Sequence, residues 1–524
     1  MSSLGHQLAT SVLVVGSGAS GLRAAIEVAE TGVAVAVVTQ RPSDNAPTRE
    51  WYEAAEWEST IAHPGDTGDR HAADTLRESR FLTFAERHTG WDLYRNLHAR
   101  AQQLAIPVLH HVYVTRLLVD DGTVFGAYGF DLADGSRHLM HADSVVLATG
   151  GHTRIWRHTS ARRHENTGGS LRLAAEAGAR LRDPELVQFH PFGLTRPDST
   201  AGMPVSERAR DVGAVLLNNL GERFMTRYDA ENMERSDQAT VARASYTEIK
   251  EGRGSRSGGV WLDLSHLPGE TVLTRLPRLH RRMLELQTLD ITRDPIEVVP
   301  TAQFSLGGIW VRPEDHSTDV DGLFAVGEAA WGPHGANPPT ENTLVELLVR
   351  ARVTGRAAAE YSATLTGTHR SPAATRAAEA DVRRLLGADG DQNVRALQRS
   401  VRHLMTEHAG VVRNEAGILA GLTGLDEIEA QAVDIGVHID IGGFRDLAHA
   451  YDLRSTVLAA RATLQCALER RETHGFHHRS DHPGTASAVR VTMLWSQATG
   501  ARREPLPSHP VGLAEQPAGT DPNG

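Results

Sequence analysis

The N-terminal pattern of apolar and polar residues predicts a strand, a helix and a second strand in close succession. Ser11–Val15 is a short apolar run rich in β-branched residues, which is typical of a buried parallel strand. Leu22–Thr31 contains good helix formers, and Gly32 follows it as a stop signal. Val33–Thr39 is again apolar and β-branched. Together these segments predict a βαβ unit.

Further along the chain, alternating and apolar runs predict strands, and amphipathic segments predict helices. The predicted strands are Val112–Leu118, Thr123–Phe130, Ser136–His141, Ser144–Ala148 and Gly322–Val326. The predicted helices are Ala72–Leu104, Thr343–Tyr361, Asn393–His408 and Leu453–Arg470. Because strand signals almost vanish after Ala373, the C-terminal region is expected to be helical.

Length and charge narrow the class of protein. A chain of 524 residues is too long for one hydrophobic core and suggests two to four domains. A net charge of −11 disfavours the cationic surface that nucleic-acid binding requires.

Cysteine content and hydropathy exclude further classes of protein. Cys466 is the single cysteine, so the chain cannot form an internal disulfide or hold an iron–sulfur cluster by itself. No run of about 18 apolar residues occurs, and Met1–Thr10 does not resemble a signal peptide. We therefore expect no membrane insertion and a cytoplasmic location.

Three glycines follow the first predicted strand. Gly16, Gly18 and Gly21 form a G-x-G-x-x-G motif between strand and helix. In a dinucleotide-binding fold the first glycine makes the tight turn, the second admits a pyrophosphate and the third allows close packing. The helix N-terminus then presents free N–H groups to the phosphates. The alternative is a chance glycine-rich turn, but the βαβ context favours dinucleotide binding.

The end of the second strand carries Thr39 and Gln40, where an acidic residue usually binds an adenosine ribose. This disfavours NAD and leaves FAD open.

Several short motifs occur one after another along the chain. They are Ala148-Thr-Gly-Gly151, Gln188-Phe-His-Pro-Phe-Gly193, Gly221-Glu-Arg-Phe-Met225, Gly307-Gly-Ile309, Gly327-Glu-Ala329, His334-Gly-Ala-Asn337 and Arg471-Glu-Thr-His-Gly475 with His478-Arg-Ser-Asp481. The chain thereby resembles the flavoprotein family of succinate dehydrogenase, fumarate reductase and L-aspartate oxidase over most of residues 11–483.

The resemblance implies an α/β fold with a Rossmann-type FAD-binding domain, an inserted α+β capping domain and a C-terminal helical domain. The implied bounds are 1–187 and 306–365 for the FAD-binding domain, 188–305 for the capping domain, 366–483 for the helical domain and 484–524 for a tail.

The resemblance also implies FAD as the cofactor. The implied contacts are Gly16, Gly18, Ser20, Gly21, Thr39, Gln40, Thr149, Gly150, Glu328, Asn342, Thr343 and Leu344. Glu328 is expected at the ribityl chain, and Asn342 to Leu344 beside the isoalloxazine, where a helix N-terminus stabilises the reduced, anionic ring.

Family residues that bind a dicarboxylate are only partly present. His190, Ser206 and Glu207 match the family's histidine and its Thr-Glu pair. A second histidine aligns with Gln303 and a carboxylate-binding arginine with Pro338.

The family's proton-transferring arginine aligns with Gln238, and Arg235 could replace it only after a shift of register. Buried carboxylates without cationic partners are costly, so we expect a substrate other than succinate, fumarate or L-aspartate bound in the family's way.

The residues that remain give the catalytic candidates His190, Ser206, Glu207 and Arg210. Imidazole titrates near neutrality and suits acid–base catalysis. The alternatives are a structural histidine in the capping-domain hinge and a solvated run of charges.

Two further expectations concern the cofactor and metals. In the family that this chain resembles, members with covalently attached FAD carry a histidine in the region of Arg49–Trp57. This chain has none there, so the resemblance implies non-covalent FAD. The paired histidines at 110–111 and 477–478 lack the helical spacing of metal ligands, and we expect no metal site.

Three functions stay open. The first is an FAD-dependent oxidase or dehydrogenase of a small amino acid, amine or carboxylate. The second is an electron-transfer subunit that passes electrons to an iron–sulfur or other acceptor protein. The third is a flavin-binding protein without turnover.

Overall fold

The computed structural model describes residues 5–42, 89–333, 335–337, 343–367, 370–484 and 491–506. The strands in chain order are β1 (His6–Val15), β2 (Val35–Val38), β3 (Val108–Leu109), β4 (Val112–Asp120), β5 (Thr123–Asp131), β6 (Arg137–Leu147), β7 (Leu181–Arg182), β8 (Val187–Leu194), β9 (Val215–Leu217), β10 (Val260–Asp263), β11 (Ile296–Ser305), β12 (Gly308–Ile309), β13 (Leu323–Ala325), β14 (Gln392–Asn393), β15 (Val412–Arg413), β16 (Ile435–Gly436), β17 (His478–Arg479), β18 (Val491–Ser496) and β19 (Gly500–Pro505).

The α-helices in chain order are α1 (Ala19–Glu30), α2 (Thr89–Gln103), α3 (Gly169–Ala177), α4 (Arg208–Val212), α5 (Met225–Tyr228), α6 (Gln238–Glu248), α7 (Gly269–Arg275), α8 (Pro277–Gln287), α9 (Thr343–Thr364), α10 (Pro372–Leu386), α11 (Val394–His408), α12 (Glu415–Gln431) and α13 (Arg445–Glu469).

The first sheet combines a parallel core with an antiparallel extension. Strands β3, β2, β1 and β6 follow one another in parallel, β13 pairs with the end of β6, and β4 and β5 extend the sheet through the start of β6. The β1–β2 register joins Val12 to Val35 and Val15 to Val38. Helices α1, α2 and α9 cover one face of this sheet with a shared apolar cluster. The expected α/β fold with a Rossmann-type domain is confirmed.

Several predicted elements differ in extent from the observed ones. The predicted strands Ser136–His141 and Ser144–Ala148 form one strand, β6, because pairing with β1 continues through Ala142. Helix α13 begins at Arg445, eight residues before the predicted start at Leu453. The predicted helix Ala72–Leu104 is described only from Thr89, where α2 begins.

A second, antiparallel sheet has the order β8-β11-β10-β9. It encloses an apolar cluster of its own that extends from Phe192 to Val298. We propose 188–305 as the capping domain because this cluster lies within those bounds.

In the C-terminal part, α11, α12 and α13 pack against one another, α13 packs against α3, and α10 packs against β4 and β5 of the first sheet. A third sheet has the order β12-β7-β18-β19 and lies against α13. The two-residue pairs β14–β16 and β15–β17 are the strands that the described part of this region contains between residues 373 and 484. Among the described residues, no helix is long and apolar enough to cross a membrane.

Candidate cofactor pocket and active site

A cavity opens where β1 and β2 end and α1 begins. The predicted cofactor residues that line it are Gly16, Gly18, Ser20, Thr39, Gln40, Thr149, Gly150, Glu328 and Leu344. Gly21 packs behind the lining, Thr343 begins α9 beside Leu344, and Asn342 lies outside the described residues.

The three motif glycines differ in what surrounds them. Gly16 has a φ of +115°, and a Cβ there would lie 2.2 Å from the Ala148 carbonyl oxygen. A Cβ on Gly21 would lie 2.0 Å from the Gly16 carbonyl oxygen. A Cβ on Gly18 would meet nothing within 4 Å. The empty space at Gly18 is where a pyrophosphate approaches the backbone in such folds.

The N-terminus of α1 points its unpaired N–H groups toward this space. Gly18 caps the helix without a side-chain hydrogen bond, and the first turn carries no acidic residue. Such a terminus attracts phosphate through its amides and its dipole. At the cavity wall, Thr149 Oγ1 is buried and has no hydrogen-bond partner among the described residues. A cofactor hydroxyl or phosphate would satisfy it.

Glu328 also lines the cavity. Its Oε1 accepts hydrogen bonds from the Ser305 backbone N–H at 3.0 Å and from Asn166 Nδ2 at 2.8 Å. Burial raises the pKa of Glu328 to about 7, although these hydrogen bonds oppose the shift. Oε2 makes no hydrogen bond among the described residues and is available to a ribityl hydroxyl.

Glu207 is the centre of a polar network in the second sheet. His190 Nε2 lies 3.3 Å from Glu207 Oε1, Gln238 donates to the same oxygen, and Arg210 donates to Oε2. Burial opposes ionisation of Glu207, but the hydrogen bond from His190 and the charge of Arg210 outweigh it and hold the pKa of Glu207 below its ordinary value. Glu207 is therefore a carboxylate at neutral pH.

His190 has a fixed tautomer. It is 4% exposed, and its Nδ1 accepts the Phe192 backbone N–H at 3.1 Å. The ring proton is therefore on Nε2, facing Glu207.

Of the other candidate residues, Arg210 belongs to the Glu207 network, whereas Ser206 and Arg235 do not. Arg210 also donates to the Glu234 carbonyl at 3.1 Å and the Ser236 carbonyl at 2.8 Å. Ser206 is exposed, and its Oγ accepts the Arg208 backbone N–H at 3.3 Å, so the structure does not bring it into the network. Arg235 is exposed, whereas Gln238 is buried and occupies the position beside Glu207.

Strand β11 connects the Glu207 network to the cavity. Thr301 pairs with His190 across the sheet, and Ser305 donates its N–H to Glu328. At about 3.3 Å per residue, these two positions are roughly 13 Å apart. Gln303 lies between them at an irregularity of the strand, and Ser160 Oγ donates to its carbonyl at 3.3 Å.

Sequence reasoning missed several residues of the cavity. Asn166, Thr167, Arg172 and Asp452 line it. They lie outside the glycine motif and the family motifs, and Asp452 is more than 400 residues away from the glycines. Asp452 directly precedes the predicted helix Leu453–Arg470, and no local pattern in the sequence marked it.

One group of side chains meets a distance criterion for metal binding. Ligand atoms of Glu415, Asp481 and His482 lie within 4.8 Å of one another. Asp481 already pairs with Arg479 at 2.8 Å and accepts the Glu415 backbone N–H at 2.8 Å. We assign no metal to this exposed group.

Two known domain families match this chain, one over its N-terminal part and one over its C-terminal part. An FAD binding domain matches residues 11–87 and 64–344. A fumarate reductase flavoprotein C-terminal domain matches residues 398–515.

Two relatives match this chain over nearly their whole length. The chain is 31% identical to one of the subunits of the CoM/CoB fumarate reductase of Methanothermobacter marburgensis, over 92% of this chain and 96% of that protein. It is also 31% identical to an uncharacterised FAD-dependent oxidoreductase of Methanocaldococcus jannaschii, over 93% and 96% of the two chains.

Among solved structures, Sdh1 of Mycobacterium smegmatis in complex with UQ1 superposes with a TM-score of 0.82 at 30% identity, covering 96% of this chain and 94% of that one. The family matches, the relatives and the shared fold all indicate FAD as the cofactor. The chain belongs to the family of fumarate reductase and succinate dehydrogenase flavoproteins and is an FAD-dependent oxidoreductase.

Proposed function

We propose that this chain oxidises a small amino acid, amine or monocarboxylate and that it does not bind a dicarboxylate in the manner of its family. The observation that supports this is the uncharged Gln238, which donates to Glu207 where the family places an arginine. The substrate therefore differs from that implied by the names of the relatives.

The charges around Glu207 support the proposal. Glu207 carries one negative charge and Arg210 one positive charge, and they are paired. Gln238 adds none. Among the described residues, this network holds no arginine or lysine besides the paired Arg210. Desolvating two substrate carboxylates without a counter-charge costs several kcal/mol. A substrate with one carboxylate, or none, avoids most of this cost.

Each side chain of the Glu207 network has its own role in the proposed reaction. FAD, when bound, accepts the hydride that leaves the substrate. Glu207 accepts the proton that leaves a substrate nitrogen or oxygen, because it is ionised at neutral pH and Oε2 keeps a free lone pair. His190 Nε2–H and the Gln238 amide hold Oε1 in place, and Arg210 orients Oε2.

Ligand titration of the oxidised holoprotein tests the substrate class. Succinate, malonate and L-aspartate are compared with monocarboxylates and neutral amines, and perturbation of the flavin absorbance band reports binding. We expect a response to members of the second group at lower concentrations. Tight binding of succinate or malonate would show that other residues supply the missing cations.

The electron-transfer subunit is kept as the second candidate because of a cationic surface near the cofactor. We name the arginine surface by its six members: Arg154, Arg157, Arg163, Arg399, Arg402 and Arg445. Four of the six are exposed, and Arg154 and Arg402 are partly buried.

The arginines of this surface are close enough to affect one another. Burial and the nearby charges of Arg402 and Arg163 lower the pKa of Arg154 to about 10. Such a surface on a chain of net charge −11 favours an acidic protein partner.

Electron transfer to a small acidic iron–sulfur protein tests this candidate. The variant Arg399→Glu should slow reduction of that acceptor at least tenfold at low ionic strength and leave flavin reduction by substrate unchanged. Arg281→Glu, on the exposed face of α8, is the matched control. Equal rates for both variants would remove the arginine surface from electron transfer.

A further inference from the structure

Asp452 reaches the cofactor cavity from a helix that is distant in sequence. It lies within α13, is 6% exposed and lines the cavity beside Thr167 and Arg172. The sequence motifs for cofactor binding do not include it, and its contribution comes from the C-terminal helical part of the chain.

Its position is the end of the cavity nearest β2. The Val112 backbone N–H donates to the Thr39 carbonyl at 3.0 Å, and so joins the start of β4 to the end of β2. The next residue, Tyr113, donates its hydroxyl to Asp452 Oδ1 at 2.8 Å. In dinucleotide folds, the adenosine ribose lies at the end of β2.

One carboxylate oxygen of Asp452 remains available. Oδ1 accepts from Tyr113 and, at 3.0 Å, from Thr167 Oγ1. Oδ2 accepts no hydrogen bond from the described residues, and His449 Nδ1 lies 3.9 Å from it, beyond hydrogen-bond distance. Burial raises the pKa of Asp452 to about 6, against the hydrogen bonds from Tyr113 and Thr167, so the group is mainly ionised at neutral pH.

The charge of Asp452 decides which part of the cofactor it faces. A carboxylate next to the pyrophosphate would be repelled, whereas ribose hydroxyls are donors that suit it. Gln40 stands where this fold usually places the acidic residue for those hydroxyls. Asp452 supplies a carboxylate at the same end of the cavity.

We propose that Asp452 binds the ribose hydroxyls of the adenosine half of FAD through Oδ2. In this binding mode Asp452 supplies the carboxylate that is absent at the end of β2. The contact also ties helix α13 to the cofactor. The proposal rests on FAD occupying this cavity.

The test compares two flavins on the full-length chain. FAD is released in chaotropic salt, and rebinding of FAD or of FMN, which lacks the adenosine, is titrated by flavin fluorescence. The variant Asp452→Asn should weaken FAD binding about 10- to 100-fold, as expected for the loss of a hydrogen bond to a charged group. FMN binding should change less than threefold.

Asp381→Asn is the matched control. Asp381 pairs with Arg454 at 2.8 Å and accepts from the neighbouring Tyr451, but it does not line the cavity. This variant should bind FAD normally. Equal losses for FAD and FMN in Asp452→Asn, or no loss for either, would overturn the proposal.

A measurement on the unaltered chain avoids any folding defect. An FAD analogue with 2′,3′-dideoxyadenosine should bind the natural chain at least tenfold more weakly than FAD and bind Asp452→Asn with no additional loss. Undiminished affinity of the natural chain for the analogue would refute the contact. If neither FAD nor FMN binds the natural chain, the placement of the cofactor fails, and that result is distinct from a failure of Asp452 alone.

Discussion

The side-chain amide of Gln238 donates a hydrogen bond to the carboxylate of Glu207. An amide keeps Glu207 in place as a guanidinium would, but it brings no charge to offset a substrate carboxylate. The proposed change of substrate preference rests on this contact.

Restoring a cation at this position should restore affinity for dicarboxylates. The variant Gln238→Arg adds a bidentate donor beside Glu207. We expect succinate or malonate to bind at least about tenfold more tightly than to the natural chain, as measured by perturbation of the flavin spectrum. Gln238→Met, of similar length and without charge, should show no gain. A gain in both variants would indicate a change of cavity shape rather than of charge.

Removing the carboxylate of Glu207 should slow the chemical step and spare the cofactor. Glu207→Gln keeps the shape but loses the proton acceptor, so anaerobic flavin reduction should fall by about two to four orders of magnitude. FAD content should stay unchanged. Glu285→Gln, an exposed change on α8, serves as the control. A rate within threefold of the natural chain would exclude Glu207 from proton transfer.

Substitutions at two of the motif glycines should distinguish an effect on cofactor binding from an effect on folding. Gly18 has open space at its Cβ position, so Gly18→Ala should leave the unfolding temperature of the FAD-free chain nearly unchanged and weaken FAD binding at least tenfold. Gly21→Ala would press a methyl group against the Gly16 carbonyl and should destabilise the fold by about 1–3 kcal/mol. Thermal unfolding and FAD titration measure the two effects. The reverse pattern would contradict the assigned roles.

Glu328 should make the stability of the FAD-free chain depend on pH. Burial raises its pKa from 4.5 to about 7, so the folded chain holds this proton more tightly than the unfolded chain. The stabilisation is complete below about pH 4.3 and is lost as the pH rises through 7.

Between pH 5 and 7.5 the natural chain should therefore lose about 1–3 kcal/mol more than Glu328→Gln, as measured by denaturant unfolding. Asp452 titrates in the same range, but it is present in both proteins and cancels in the comparison. Parallel pH profiles would show that the Glu328 pKa is not raised.

The parts that local sequence determines could be predicted, and the parts assembled over long distances could not. The roles of Gly16, Gly18 and Gly21 follow from a strand, a turn and a helix that are adjacent in the chain. The alignment placed Gln238 at the position of the family's proton-transferring arginine, but its hydrogen bond to Glu207 was not predicted, because no local pattern brings α6 to that loop. Asp452 went unrecognised because its partners Tyr113 and Thr167 lie more than 280 residues away. Ser206 was included through alignment alone, and its exposure comes from the local turn to Arg208.

The most direct test of the proposed function is anaerobic reduction of the bound flavin, followed at its absorbance band. The panel contains L-aspartate, succinate, other amino acids, amines and monocarboxylates. We predict bleaching by at least one amino acid, amine or monocarboxylate and none by succinate or L-aspartate at matched concentrations. Rapid bleaching by succinate or L-aspartate would contradict the account and restore the family's ordinary substrates, and failure of every compound would favour a flavin-binding protein without turnover.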